Sequence, residues 1–208
     1  MPETTNPLPD AGEPHELPDL RPQARLVASL AAGVTDDQLD GPTPCPDYAV
    51  RHLLGHLVGL AAAFTDAARK DLGARTDTDP SSALPDLGPD WRDELPRRLA
   101  ELAEVWRDSA AWTGQTRAGG VDLPAEVAGV VAVDELVVHG WDLARATGQE
   151  YAPDAASLGV AHAMLSATEA EGPAARGELF GPPVPVPPEA SLLDRVVALS
   201  GRDPHWRP

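Results

Sequence analysis

Apolar residues recur at three- and four-residue spacing through most of the chain, and proline and glycine mark the breaks between those stretches. Leu20, Leu26, Val27, Leu30 and Ala31 predict a first helix over residues 19–33. Thr35 stands where it can cap a short turn running to Leu39. Gly41 to Pro46 reads Gly-Pro-Thr-Pro-Cys-Pro, a stiff non-helical connection. Asp47 is a good N-cap for a second helix reaching about Lys70, with Val50, Leu53, Leu57, Leu60 and Phe64 on its inner face. Residues 71–90 read as a loop. Trp91 to Asp108 predicts a third helix that buries Leu95, Leu99, Leu102, Val105 and Trp106, with Pro96 tolerated if it falls in the first turn. Residues 112–122 are a glycine-containing connection. A fourth helix opens near Pro124 or Ala125 and ends at Thr147, with Gly148 as its left-handed C-terminal residue. Pro153 and Asp154 open a last long helix to about Glu171. Residues 172–208 form a Pro-rich extension in which Leu192 to Ser200 reads as a short helix. β signals are weak throughout, so the pattern predicts an all-α bundle. Residues 1–18, with five prolines, predict a disordered tail, which leaves 19–208 as one helical domain.

Composition narrows the function more than the fold. The chain carries a formal net charge of −17 and a single lysine, Lys70. Such an acidic surface repels phosphate backbones and anionic lipid, which argues against nucleic acid and membranes as partners. No stretch reaches bilayer length, and the N-terminus lacks the apolar run of a signal peptide, so a cytoplasmic location is expected. Cys45 is the only cysteine, so neither an internal disulfide nor a Cys-x-x-Cys zinc knuckle can form.

The candidate chemistry lies in Val-Asp-Glu-Leu-Val-Val-His-Gly-Trp-Asp-Leu-Ala, residues 133–144. Glu135 and His139 are four apart on a helix and can reach one common point. His56, on the second helix, falls roughly 75° from the centre of the apolar stripe, and His52 roughly 115° away, nearer solvent. His56, Glu135 and His139 are therefore candidate ligands for one divalent metal with vacant coordination positions, the mark of a catalytic site. The pair His52 and His56 stays open as a rival site. Ala128, Val131, Glu135, Val138, His139 and Asp142 share a face, and an acid among valines calls for a cation. Asp142, one turn past His139, reads either as a group that orients a ligand or as a peripheral acceptor. Asp134 reads as a solvated acid, Cys45 as a structural residue at a helix entrance, and Trp141 as a wall of the site. His15, His162 and His205 carry no assigned role.

Thr43-Pro-Cys-Pro-Asp-Tyr-Ala-Val-Arg-His-Leu-Leu-Gly-His56-Leu resembles the N-terminal signature of the mycothiol-dependent maleylpyruvate isomerase family, within the DinB-like metalloproteins. Glu135-Leu-Val-Val-His139-Gly-Trp-Asp-Leu-Ala is similar to its second signature, and the tail from Phe180 to Pro204 resembles a short metal-binding subgroup. The resemblance implies an up-and-down four-helix bundle with extra short helices. It implies a mononuclear metal on His56, Glu135 and His139, zinc first, with nickel or iron as alternatives. It also implies chemistry with a small thiol such as mycothiol on a small electrophile, as an S-transferase or a cis–trans isomerase. The isomerase has a further C-terminal domain that closes its site with an arginine, and this chain is expected to end too early for it. Arg51, Arg145 and Arg195 are candidate anion-binding groups. The alternatives are a non-catalytic bundle that binds a metal or small ligand, and a structural bundle, either of which could be a homodimer.

Overall fold

The computed structural model describes residues 17–80, 82–173 and 180–208. The expected tail falls largely on residues 1–16, and with His15 it lies outside the described residues. The described part is all-α apart from one small hairpin. Its helices are α1 (Arg21–Ala32), α2 (Val50–Arg69), a short α3 (Ala74–Asp77), α4 (Trp91–Val105), α5 (Ala125–Thr147), α6 (Ala155–Glu171) and α7 (Leu192–Leu199). Two 3-10 turns, Asp36–Gln38 and Ser109–Trp112, join them. No described helix is long and apolar enough to cross a membrane.

Four helices make the bundle: α1 and α2 each pack on both α4 and α5. Helices consecutive in the chain, α1 with α2 and α4 with α5, therefore lie across a diagonal. This order differs from a plain up-and-down bundle, where short loops make consecutive helices neighbours. The connections over 33–49 and 106–124 are long enough to make the crossings. α6 covers α5 from outside, and α7 packs on α6 and α5. From Ala132 to Ala144 every residue of α5 is buried except Glu135. A helix enclosed on all sides reads as apolar all round, which α5 nearly does.

The start of α2 differs from expectation. The helix begins at Val50, and Asp47 is exposed and does not cap it. The free amides of its first turn go elsewhere: Val50 N–H donates to the Gly41 carbonyl at 3.0 Å and Arg51 N–H to that of Leu39 at 2.9 Å. Ala49 N–H donates to Nδ1 of His52 at 3.2 Å. The rigid Pro-rich segment thus caps α2 with its own backbone, and this fixes where His56 falls. Pro96 sits a turn deeper in α4 than expected, on an exposed position where water can take the carbonyl it frees.

The segment expected to be a plain connection holds the hairpin β1 (Gln115–Ala118) and β2 (Val121–Pro124). Gly119 and Gly120, at φ 58° and 78°, form its two-residue turn, where L side chains would be strained. Thr116 Oγ1 donates to the Ala67 carbonyl at 2.6 Å, tying the hairpin to the end of α2. Beside it Trp106 and Trp112 meet edge to face at 4.8 Å. Each indole N–H is satisfied, by the Phe64 and Trp106 carbonyls at 3.2 and 2.7 Å. Both rings press on Gly129 of α5, where a Cβ would overlap Trp112 and Trp106.

Two helical glycines separate packing from propensity. Gly129→Ala forces the Trp pair apart and should lower unfolding free energy by about 1–3 kcal/mol. Gly159→Ala on exposed α6, where a Cβ meets nothing, should raise it by roughly 0.5–1 kcal/mol. Urea denaturation of both variants checks the pair, and equal effects would contradict this packing.

Candidate metal centre

α2 and α5 are neighbours, and their facing sides bring His56, Glu135 and His139 together. Oε2 of Glu135 lies 3.3 Å from Nε2 of His56 and 3.2 Å from Nε2 of His139. The three donor atoms fall within 4.8 Å of one another. Two ligand atoms bound at zinc distances with a tetrahedral angle stand about 3.3 Å apart, so the donor set fits a divalent ion. The imidazoles of His56 and His139 meet edge to face at 4.7 Å. Tyr48 tilts against His56 at 5.6 Å and walls one side. Glu135 keeps 27% of its side chain exposed, against 13% for His56 and 10% for His139, so the cluster opens to solvent at the carboxylate.

Behind His139 the cluster is closed and charged. Nδ1 of His139 lies 2.9 Å from Oδ2 of Asp142, which is fully buried. That contact turns Nε2 toward the cluster. Arg202, from the C-terminal extension, grips Asp142 with two nitrogens, Nη2 to Oδ2 at 3.0 Å and Nε to Oδ1 at 3.3 Å. A bidentate guanidinium is the strong form of this pairing. Burial opposes the charge of Asp142, but Arg202 and His139 outweigh it and hold its carboxyl below the ordinary range. Burial likewise opposes Glu135, and hydrogen bonds from His139 and His56 hold it far below that range. His139 resists burial too, yet its bonds with Asp142 and Glu135 carry it up to about 9. A proton on His139 thus offsets part of the surrounding carboxylate charge.

Asp134 overturns one expectation. It is 2% exposed rather than solvated, and its Oδ1 has no hydrogen-bond partner. Burial, then the adjacent charge of Glu135, push its carboxyl up to about 8. The cause is the enclosure of α5, on which α6 and α7 pack in addition to α1 and α2.

His52 does not join the cluster, since its Nδ1 is engaged with the Ala49 amide. Trp141 does not wall it either, and lines a cavity elsewhere with Arg145. Arg51 is exposed and pairs with Asp40 at 2.7 Å, and Arg195 is exposed on α7. His162 is half-buried on α6 and His205 is exposed. Burial pushes the Cys45 thiol up to about 11, which fits a structural residue.

Arg202 is the residue that sequence reasoning missed. A buried acid at Asp142, with one histidine to share, called for a further cation in the tail. Gly201, at φ 86°, delivers it by pressing its backbone against Gly181, with Cα of Gly181 only 2.7 Å from where a Cβ would stand.

Residues 20–144 match the family model of the mycothiol maleylpyruvate isomerase N-terminal domain. Uncharacterized proteins from two Mycobacterium tuberculosis strains are each 28% identical over 180 residues, covering 84% of this chain and 91% of theirs. Among solved structures, the mycothiol-dependent maleylpyruvate isomerase superposes with a TM-score of 0.56 at 17% identity, over 89% of this chain and 88% of that one. A mutant of that isomerase gives 0.54 at 18% identity, over 88% and 86%. At this identity the likeness is one of fold. An overlap of 88% leaves no room in the isomerase chain for a whole domain without a counterpart here, which corrects that expectation.

The charges set a pH dependence for protein stripped of metal by chelator. His139, raised to about 9 from 6.5, contributes stability that is full below pH 6.5 and lost as pH rises through 9. Asp134 stays neutral in the fold to about 8 while the unfolded chain ionises from 3.8, so its cost grows across that range. Both slopes fall with rising pH, while Glu135 and Asp142 lose their contribution only as pH falls into the acid range. The urea midpoint should therefore drop from about pH 6 to pH 9. Asp134→Asn should raise stability at pH 7 by a few kcal/mol, roughly, and flatten the slope. A midpoint that stays level from pH 6 to 9 would count against these assignments.

Proposed function

The chain belongs to the mycothiol maleylpyruvate isomerase N-terminal domain family, and on that premise we propose that it is a divalent-metal enzyme that uses a small thiol of the mycothiol kind on a small electrophile. The observation that carries this reading is the meeting of His56, Glu135 and His139 at one point that solvent reaches. Two imidazoles and one carboxylate, with room left for exogenous ligands, form a catalytic rather than a structural donor set. Zinc suits that set best.

His56 offers Nε2 from α2, and Glu135 and His139 offer Oε2 and Nε2 from α5. Asp142 accepts from Nδ1 of His139, fixing the ring's tautomer and raising the basicity of its other nitrogen. Arg202 keeps Asp142 ionised so that it can do so. When bound, a divalent ion supplies a Lewis acid that favours the thiolate of a thiol reaching it. Tyr48 flanks the approach over His56 and narrows what can enter beside that ring.

Purified protein should carry about one divalent ion per chain. His139→Ala and His56→Ala should each lower metal affinity by at least about 100-fold, and Asp142→Asn by roughly 10–100-fold. Turnover of an electrophile with mycothiol should vanish on chelation and return with zinc. Equal metal content in wild type and His139→Ala, measured by elemental analysis, would sink the reading. Tight metal binding with no turnover for any thiol would instead favour a metal-binding bundle without catalysis.

A further inference from the structure

A second site lies away from the His–Glu–His cluster. A cavity of about 480 Å3 opens between the C-terminal end of α5, the loop 148–152 and the first turn of α7. Trp141, Arg145, Glu150, Tyr151, Leu193 and Asp194 line it. Its size falls within the range of small-molecule sites.

Arg145 sets the chemistry. Among the described residues four arginines are half-buried: Arg98, Arg117, Arg145 and Arg202. Arg98 pairs with Glu94, Arg117 with Asp77 and Asp122, and Arg202 with Asp142. Arg145 has no carboxylate partner among the described residues, in a chain with 33 acidic and 16 basic residues. Scarcity of acids does not explain that. Its Nε–H is buried and has no acceptor, a costly state for a donor. The guanidinium is nonetheless held in place: Nη2 donates to the Pro204 carbonyl at 2.8 Å, and the group lies 5.6 Å from the Trp141 ring. A cation fixed in advance loses little freedom when it takes an anion.

The rest of the wall selects the ligand's shape and charge. Tyr151 supplies aromatic and Leu193 aliphatic surface, while Trp141, only 3% exposed, backs the guanidinium from inside. The Tyr151 hydroxyl is already committed, donating to the Val137 carbonyl at 2.6 Å and accepting from Gln23 at 2.8 Å, so only its ring is available. Glu150 and Asp194 stand in the same wall without reaching Arg145, and Asp194 is held by Ser191 Oγ at 2.8 Å. Their charges oppose any anion, so a single carboxylate is held only by direct pairing with Arg145, and a second negative group is disfavoured further.

We propose that this crevice binds a small monocarboxylate with a flat apolar body, its carboxylate on Arg145 and its body against Tyr151 and Leu193. The site is independent of the metal cluster and joins the bundle to the C-terminal extension. Isothermal titration of the full chain with benzoate, benzamide, phthalate and benzylamine tests it. Benzoate should bind saturably at one site, at least about tenfold tighter than benzamide or phthalate, since only it offers a single charge-assisted pair. Arg145→Met should weaken benzoate at least about tenfold. Leu193→Trp, which fills the cavity from α7, should abolish it, and Glu135→Gln should leave it unchanged. Thermal melts establish that each variant is folded, and if Arg145→Met is not, Leu193→Trp decides. Benzoate binding no tighter than benzamide, survival of binding in Leu193→Trp, loss in Glu135→Gln, or a preference for benzylamine would each overturn the proposal.

Discussion

A buried helix with three acids in its middle must find cations, and that demand organises the molecule around α5. Asp134, Glu135 and Asp142 lie within about two turns, inside walls made by α1, α2, α6 and α7. Burying a carboxylate without a partner is expensive. Each acid meets the demand differently. Asp142 takes a guanidinium from the C-terminal extension, Glu135 takes two imidazoles, and Asp134 is pushed toward its neutral form. The fold's outer parts are therefore not ornaments on a bundle. α6 and α7 create the low dielectric that makes the charges strong, and the extension supplies one of the charges that balances them.

The same arrangement explains why a carboxylate and a histidine four residues apart suffice to mark the site. The α5 backbone fixes Glu135 and His139 relative to each other, and only the approach of α2 has to be set. That approach depends on the stiff segment 41–46, whose neighbouring carbonyls cap α2 and so determine its first residue. A shift of one residue at that start would carry His56 about 100° round the helix and out of reach.

Much of this was legible in the sequence. The long helices announced themselves by spacing and by their end signals, as Gly148 and Asp154 did for α5 and α6. Helix geometry put Glu135 and His139 on one face, and the family resemblance brought His56 to them from another helix. What escaped detection depended on partners distant in the chain. Asp134 read as solvated because nothing local shows that α5 is enclosed nearly all round. Arg202 lies 60 residues from Asp142, beyond any periodicity. The diagonal placement of consecutive helices rests on the paths of two long connections, which amphipathic pattern does not encode. The hairpin is a different failure. Ala118-Gly-Gly-Val121 is a recognisable two-residue turn, but the flanking strands are too short and too polar to show alternation.

The dependence of His139 on Arg202 also has an order in time. Ribosomes deliver α5 well before the stretch in which Gly201 folds back onto Gly181, so a nascent bundle holds Asp142 beside His139 with no guanidinium behind it. During that interval His139 alone balances the charge of Asp142. Completion of this charge cluster is consequently coupled to the emergence of the tail, and a chain stalled in translation after α6 would present a bundle whose Asp142 lacks its guanidinium.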